Sequence, residues 1–411
     1  MNKHIESLKG TIPFTKRKFS ISLKGKSLVI TGGNGSGKTR LLSLIHKHIS
    51  LFMNNPEHLS EKHHLNKVTT LREQIKQYPK GTDSYNYLRA EIDKLKNHLD
   101  DIKSVNIVLS DRKKKILLSK KTKSLLRFYP ADRKSSISEP NSALPLNTLI
   151  EQEYDKPFDS NAGEQFENYL VSYKILQSHL IAIKKDYFGA AKIQEWFDKI
   201  ESDFQNLFED TELKFEFEMN EQRFYFNQPD REKYTLQSLS AGYSAIMSIY
   251  ADLIMKVQFQ EIDPEDLRGV IFIDEIDAHL HVTIQKKILS FLKNSFPSIQ
   301  FIVTTHSPFV IMSVDDAILY DLSKLDYIND VSLYSYEAVL EGVFDALPIS
   351  SILEENIKKL SELVNNKESP ITEISKLVNR LTPIKNKLDS ESGYFLSQGE
   401  LEIKKRGLKN V

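Results

Sequence analysis

The sequence predicts an α/β fold: a head with a mainly parallel sheet, an antiparallel β-lobe and a helical subdomain, interrupted by a short helical hairpin of coiled-coil character. Three observations predict it. Apolar runs of strand length (Ser27 to Ile30, Gly269 to Ile273, Phe301 to Thr305) are separated by helical patterns, as in βαβ units. Leu213 to Met219 alternates strictly, and Arg223 to Phe226 follows across Asn220, Glu221 and Gln222, which reads as a β-hairpin. Residues 56–104 turn polar, with Leu65, Val68, Leu71, Ile75 and Tyr78, then Leu88, Ile92, Leu95, Leu99 and Ile102, recurring at helical steps around a turn from Pro79 to Ser84.

The first apolar run leads into Thr31, Gly32, Gly33, Asn34, Gly35, Ser36, Gly37, Lys38 and Thr39, followed by Arg40 and the helical run Leu41 to Ile45. This fills every position of a phosphate-binding P-loop behind its expected strand. Gly32 and Gly37 let the backbone aim several N–H groups at a polyphosphate, with the positive end of the following helix behind them. Lys38 can reach the β- and γ-phosphates, and the Thr39 hydroxyl can ligate Mg²⁺. The chain is expected to bind ATP or GTP through residues 32–40.

The intervening segments follow in order. Strand-like patterns return over residues 105–130, at Val105 to Leu109, Ile116 to Leu118 and Leu125 to Tyr129. Residues 134–162, rich in Ser, Pro and Asn, read as a loop, and Gly163 to Phe208 reads as helical. After about residue 335 the chain is charged and helical, with breaks at Pro370 and Pro383. Four parts are expected: the N-terminal half of the head with the P-loop (1–55), the hairpin insertion (56–104), the rest of the head (105–345) and a helical region for partners or oligomerisation (346–411).

Composition bounds the function classes. The chain has 411 residues, with Lys+Arg and Asp+Glu both at 56, so any nucleic-acid contact must come from a local patch. It contains no cysteine, which excludes disulfides, thiolate zinc sites and cysteine nucleophiles. No apolar run approaches a membrane span and the N-terminus carries no signal-peptide core, so a cytoplasmic protein with no membrane partner is expected.

Three further patterns lie downstream of the P-loop. The run Gly269 to Ile273 ends in Asp274 and Glu275, a Walker B pattern in which Asp274 holds the Mg²⁺ through water and Glu275 polarises the attacking water. Upstream, Leu239, Ser240, Ala241, Gly242, Tyr243, Ser244 and Ala245 read as a Ser-capped helix start. Phe301 to Thr305 is a buried strand ending in His306, placed to hydrogen-bond a γ-phosphate. His279 and His281 read as packing and interface residues, because their two-residue spacing is poor for a helical metal pair.

In this order and spacing the chain resembles the ABC ATPases of the SMC/Rad50/RecF and OLD-like branch. Within it, the chain is most similar to the ATPase subunits of bacterial anti-phage defence systems such as Septu, retron-associated systems and PARIS. The residues carrying that likeness are GGNGSGKT, FYPADR at 128–133, LSAGYSA, DEIDAHLH, TTHSPF and the stretch Tyr334 to Gly342. The resemblance covers about residues 1–345 and implies ATP and Mg²⁺ as ligands. It implies Lys38, Glu275 and His306 as catalytic residues, with Thr39 and Asp274 at the metal. Ser240, Ala241 and Gly242 then belong to a signature sequence that completes the ATP site of a second subunit, from which Ala241 and Tyr243 depart. Asp277 falls in a loop that crosses the dimer interface. Gln152 and Gln165 are the candidates for a Q-loop residue. The insertion lacks a zinc-hook Cys pair, which speaks against long-range tethering.

The resemblance implies a homodimer through the heads, or a higher oligomer, working with a separate effector, a nuclease or other toxin. The stretch after His306 shows no nuclease pattern, so a built-in nuclease is not expected. Residues 111–127 carry eight basic residues and one acid, and Arg112 to Arg127 offer a nucleic-acid contact; a solvated hairpin with a core face is the other reading. Ile352 to Lys387, with Leu353, Ile357, Leu360, Leu363 and Val364, offers apolar faces for a partner or for packing. The expected function is a sensor ATPase that dimerises on ATP and controls its effector. Alternatives are a RecF/Rad50-like DNA-repair ATPase, a transporter subunit, against which the polar insertion speaks, and a slowly turning ATP-locked scaffold.

Overall fold

The computed structural model describes residues 5–54, 60–109, 124–133, 137–140, 145–154, 160–313, 316–328, 336–344, 350–366 and 368–407. It divides into two compact units, Met1–Tyr334 and Ser335–Val411. The first unit opens with β1 (Ile5–Thr11), β2 (Lys18–Ser22), β3 (Ser27–Thr31), α1 (Lys38–Asn54), α2 (Glu61–Gln74), α3 (Asp83–Ser104), β4 (Val105–Leu109) and β5 (Leu125–Tyr129). It continues through α4 (Leu146–Tyr154), α5 (Phe166–His179), α6 (Tyr187–Phe208), β6 (Lys214–Glu218), β7 (Arg223–Asn227) and α7 (Ala241–Gln260). It ends with β8 (Gly269–Ile273), α8 (Val282–Gln285), α9 (Ile288–Ser295), β9 (Ile299–Thr304), α10 (Pro308–Met312), β10 (Ala317–Asp321) and β11 (Asp326–Tyr327).

The main sheet has the order β11-β10-β3-β9-β8-β5. Its pairs β10–β3, β3–β9, β9–β8 and β8–β5 are all parallel. Every residue of β3, β8 and β9 is buried, as expected for central strands covered on both faces. Parallel pairing brings the C-terminal ends of these three strands to one edge, where open α/β sheets place ligands. The β-lobe is the antiparallel sheet β2-β1-β4, and β6 pairs with β7 as the alternation predicts. The helical pattern of 163–208 is not continuous: α5 passes through a π-turn at Leu180–Lys184 and stops where Lys185 adopts φ +53°.

The insertion forms two helices, α2 and α3, that face each other through Val68, Ile92 and Leu99, with Leu71, Ile75 and Leu95 packed alongside. Lys103 pairs with Glu61 at 3.1 Å, which joins the start of α2 to the end of α3 and makes the pair antiparallel. At its base His64 of α2 and His98 of α3 pack edge to face at 4.8 Å, and His98 lies 6.2 Å from His48 of α1. The hairpin is thereby seated on the helix that starts at the P-loop.

Of the basic stretch only its far end, Ser124 to Arg127, is described. Residues 110–123, including Ile116 to Leu118, lie outside the described residues. At its far end Arg127 sits within β5 and donates through Nε to Asp252 Oδ2 at 2.8 Å, its side chain only 12% exposed. Asp252, on α7, is fully buried and also accepts from the Tyr129 hydroxyl at 2.6 Å and the Ala162 N–H at 2.8 Å. Arg127 is therefore an internal counter-ion and not a phosphate contact. Burial and the Asp252 charge push the Tyr129 phenol well above its ordinary range, so it remains an O–H donor.

The second unit comprises α11 (Tyr336–Phe344), α12 (Ser351–Asn365), α13 (Ile371–Leu381) and α14 (Ser390–Gly407). Pro370 caps α13 and Pro383 opens a 3₁₀ turn over Thr382–Lys387. Leu353, Ile357, Leu360, Leu363 and Val364, which read as a face for partner or packing, pack with Ile374, Val378 and Leu396 of the same unit. Their amphipathic pattern is spent on a local three-helix core.

Removing the Asp252 carboxylate strands a buried guanidinium. Asp252→Ala should therefore lower the free energy of unfolding of the first unit by about 3–5 kcal/mol, read as a fall in the urea midpoint.

Candidate active site

The loop between β3 and α1 wraps tightly because of its glycines. Gly37 has φ +97°, and a Cβ there would lie 2.8 Å from Ile12 Cγ2 of the β-lobe, so only glycine fits. Lys38 is buried and folds back over the loop, its Nζ donating to Gly32 O at 2.8 Å and Gly33 O at 3.1 Å. Burial lowers its pKa, against the opposing pull of Glu275, Asp274, Asp277 and Asp321. The Ser36 hydroxyl is buried without a hydrogen-bond partner, which fits a donor to a phosphate oxygen.

At the end of β8, Asp274 Oδ1 accepts from the Thr39 hydroxyl at 3.1 Å and the Thr304 hydroxyl at 2.6 Å. Thr304 Oγ1 in turn accepts the Glu275 N–H at 2.7 Å. A hydroxyl and a carboxylate side by side fit the two protein ligands that Mg²⁺ takes when phosphates and water fill its other positions. Among the described residues no group of three His, Cys, Asp or Glu side chains is arranged to hold a metal ion. Asp277 does not stand free at a surface: its Oδ1 accepts from the Thr305 hydroxyl and from the His306 N–H at 3.3 Å, anchoring the end of β9.

Residues 34–40, Glu275 and His306 share one cleft of about 530 Å³ with Pro13, Phe14 and Thr15, and Asp274 meets its edge through the bond to Thr39. The His306 ring has its pKa lowered, first by burial and then by Lys38, so it is neutral at pH 7. Phe14, which sequence reasoning missed, stands at the rim with φ +64° and 90% of its surface exposed, the Arg40 guanidinium 4.7 Å above its ring. A bulky residue with positive φ on an exposed turn has no local sequence signal beyond the preceding Pro13. Thr304 and Arg133 likewise stand inside the longer strings TTHSPF and FYPADR, with no local signal that singles them out. Neither Gln152, on the exposed side of α4, nor Gln165, bonded to Asn168 at 3.1 Å, lines the cleft.

Ser240, Ala241 and Gly242 are not among the residues lining the cleft. Ser240 occupies the N-cap of α7, yet its side chain makes no capping hydrogen bond, and both it and Ala241 are exposed. Gly242 has a task within its own chain. A Cβ there would stand 2.8 Å from His279 O, so glycine allows the chain after Glu275 to cross the start of α7. The departure at Tyr243 also has a local cause: its ring stacks on Phe208 of α6 at 4.2 Å and 12°. His281 caps α8, its Nδ1 3.2 Å from the Thr283 hydroxyl.

Residues 27–313 match the family model described as "AAA domain, putative AbiEii toxin, Type IV TA system". The chain belongs to this family. Over 160 residues it is 30% identical to Septu protein PtuA of Bacillus mycoides (strain KBAB4), covering 36% of this chain and 22% of that protein. Over 80 residues it is 41% identical to the Retron Ec83 probable ATPase of Escherichia coli, covering 19% of this chain and 15% of that one. The matches thus span less than a quarter of either relative's length. Among solved structures, an SMC head bound to the C-winged helix domain of ScpA aligns with TM-score 0.34 at 14% identity, over 80% of this chain and 96% of that chain. A nucleotide-free ATP-binding cassette from an ABC transporter aligns with TM-score 0.29 at 13% identity, over 79% and 90%. Those alignments are too loose to carry an argument, and the fold rests on the chain's own strand order.

The contact between Gly242 and His279 is backbone on one side and cannot yield easily. Gly242→Ala should cost about 1–3 kcal/mol of stability in a denaturant titration, as overpacking does, while Ala241→Gly, which removes a methyl from an exposed position, should cost no more than the roughly 1 kcal/mol of helix propensity.

Proposed function

We propose that this chain binds Mg·ATP in the cleft at the sheet edge, pairs there with a second copy, hydrolyses the nucleotide and so controls a separate effector in anti-phage defence. The observation that carries the reading is the convergence of the P-loop, the Asp274–Thr39 pair, Glu275 and His306 on one cleft. Lys38 leaves its loop carbonyls for the β- and γ-phosphate oxygens, and the Ser36 hydroxyl and loop N–H groups complete the cradle. Thr39 and Asp274 would hold Mg²⁺, which supplies charge neutralisation on the phosphates. Glu275 takes a proton from the attacking water as its oxygen bonds to the γ-phosphorus and the bond to the bridging β–γ oxygen breaks, giving ADP and phosphate. The neutral His306 ring orients the water and donates to a γ-phosphate oxygen. Phe14 offers the base an exposed ring face.

The exposed, uncapped Ser240, lying outside its own chain's cleft, supports a site completed by the second copy. The relatives named Septu protein PtuA and Retron Ec83 probable ATPase support the defence setting. An effector is tested by co-expression with the products of neighbouring genes in the native operon and co-purification with and without ATP.

Shared sites are tested by mixing. Lys38→Ala should lose ATP binding by more than about tenfold, a loss of 1.4 kcal/mol or more. Ser240→Arg should bind ATP but fail to dimerise, because a bulky cation blocks the helix end. Neither variant should hydrolyse ATP alone, and an equimolar mixture should recover one hybrid site per dimer. A mixture of folded proteins with no activity would mean that each chain works alone.

The pH dependence has a definite sign. The His306 pKa is displaced downward from 6.5, so the ring stays neutral below that pH and kcat/KM should fall only on the acid side of it. The profile of His306→Gln should lack this acid limb; a limb unchanged in the variant would assign it to another group.

A further inference from the structure

The segment joining β5 to the rest of the head carries a buried guanidinium with no role in the site as derived above. Arg133 is 7% exposed and makes four hydrogen bonds, all to main-chain carbonyls. Nη1 donates to Pro130 O at 3.1 Å and to Asp274 O at 2.8 Å. Nη2 donates to Glu275 O at 3.1 Å and to Ile276 O at 3.0 Å. Three successive carbonyls of the turn after β8 are thus gathered by one side chain from a segment some 140 positions earlier. The device is costly, since burying a guanidinium on neutral acceptors forfeits its hydration, a loss that the nearby Asp277, Asp274 and Glu275 carboxylates oppose.

The turn it grips is not relaxed. Glu275 has φ +44°, in the left-handed region that a non-glycine residue occupies at a cost of about 1–3 kcal/mol. Its N–H is held by Thr304 Oγ1 at 2.7 Å, and its carbonyl also accepts the Ala278 N–H at 2.9 Å. The Ile276 N–H donates to Thr304 O at 2.9 Å. β9 therefore fixes the N–H groups of Glu275 and Ile276, and Arg133 fixes the acceptors of the turn. A planar fork with two separate NH₂ groups can hold three carbonyls that fan outward; an ammonium cannot do so with the same geometry.

We propose that Arg133 is a positioning residue for hydrolysis: it clamps the turn from Asp274 to Ile276 so that Glu275 keeps its left-handed backbone and presents its carboxylate to the cleft. The inference rests on the reading of Glu275 as the base. Without the clamp the turn relaxes toward an ordinary conformation and carries the carboxylate away from the attacking water. The P-loop, which makes no hydrogen bond to Arg133, keeps its hold on the nucleotide.

The test compares Arg133→Ala, Arg133→Lys, Glu275→Gln and the double variant Arg133→Ala/Glu275→Gln in the full chain, by steady-state hydrolysis and by binding of a fluorescent ATP analogue. Arg133→Ala should lower kcat about 100-fold, the scale of a misplacement by one ångström, with analogue affinity unchanged. Arg133→Lys should fall between it and the parent. Methylguanidinium added to Arg133→Ala should restore part of kcat but do nothing for Glu275→Gln. The double variant should be no slower than Glu275→Gln, because a clamp acts only through the group it positions. Hydrolysis by Arg133→Ala at the parent rate, or equal further losses in both backgrounds, would overturn the proposal. If Arg133→Ala does not fold, Arg133→Lys decides: parent-like kcat overturns the proposal, and a lowered kcat with intact analogue binding supports it. Should Glu275→Gln hydrolyse ATP at the parent rate, the base assignment itself fails, independently of Arg133.

Discussion

A single hydroxyl holds the site together. Thr304 Oγ1 donates to the Asp274 carboxylate and accepts the Glu275 N–H, while the same carboxylate oxygen receives the Thr39 hydroxyl. Three segments far apart in sequence meet through these bonds only because β3, β9 and β8 are neighbours and parallel, with Ile30 opposite Thr304 and Ile273 opposite Val303. A slip of one residue in either pairing would point Thr304 to the other face of the sheet and separate the hydroxyl from both partners. The complete burial of all three strands forbids that slip, so apolar packing sets the chemistry's geometry.

The edge strand β5 is held differently, by charge. On one side Arg127 and Tyr129 converge on Asp252 of α7; beyond its end Arg133 grasps the turn that follows β8. The Tyr129 carbonyl meanwhile accepts the Asp274 N–H at 2.9 Å. Buried ions of this kind add little net stability over apolar replacements, but removing one partner is severe, so they fix arrangement more than they strengthen it. The helix that begins at Ser240 and the turn that carries Glu275 are consequently both tied to the same short strand.

What was legible in the sequence was what local chemistry encodes. The P-loop, the apolar strand ending in Asp274 and Glu275, the β6–β7 hairpin and the α2–α3 pair each carry their pattern within a few tens of residues. What stayed hidden depends on contacts across the chain. Arg127 read as one of eight basic residues on a surface, because nothing in its neighbours reveals that β5 lies beside α7. The C-terminal apolar stripes read equally as partner faces or packing, since periodicity reports that a helix has an apolar side and not what covers it.

The sequence by itself determined the candidates: which side chains have the chemistry to cradle a phosphate, hold a hard cation or accept a proton, and which family the order of motifs resembles. Only the tertiary structure decided how they are held. It seats Glu275 in a left-handed turn between Thr304 and Arg133, gives Gly242 its task against His279, and turns Arg127 inward. The reason is physical: such contacts depend on strand register and on burial of many distant residues at once, and no short window of sequence carries that information.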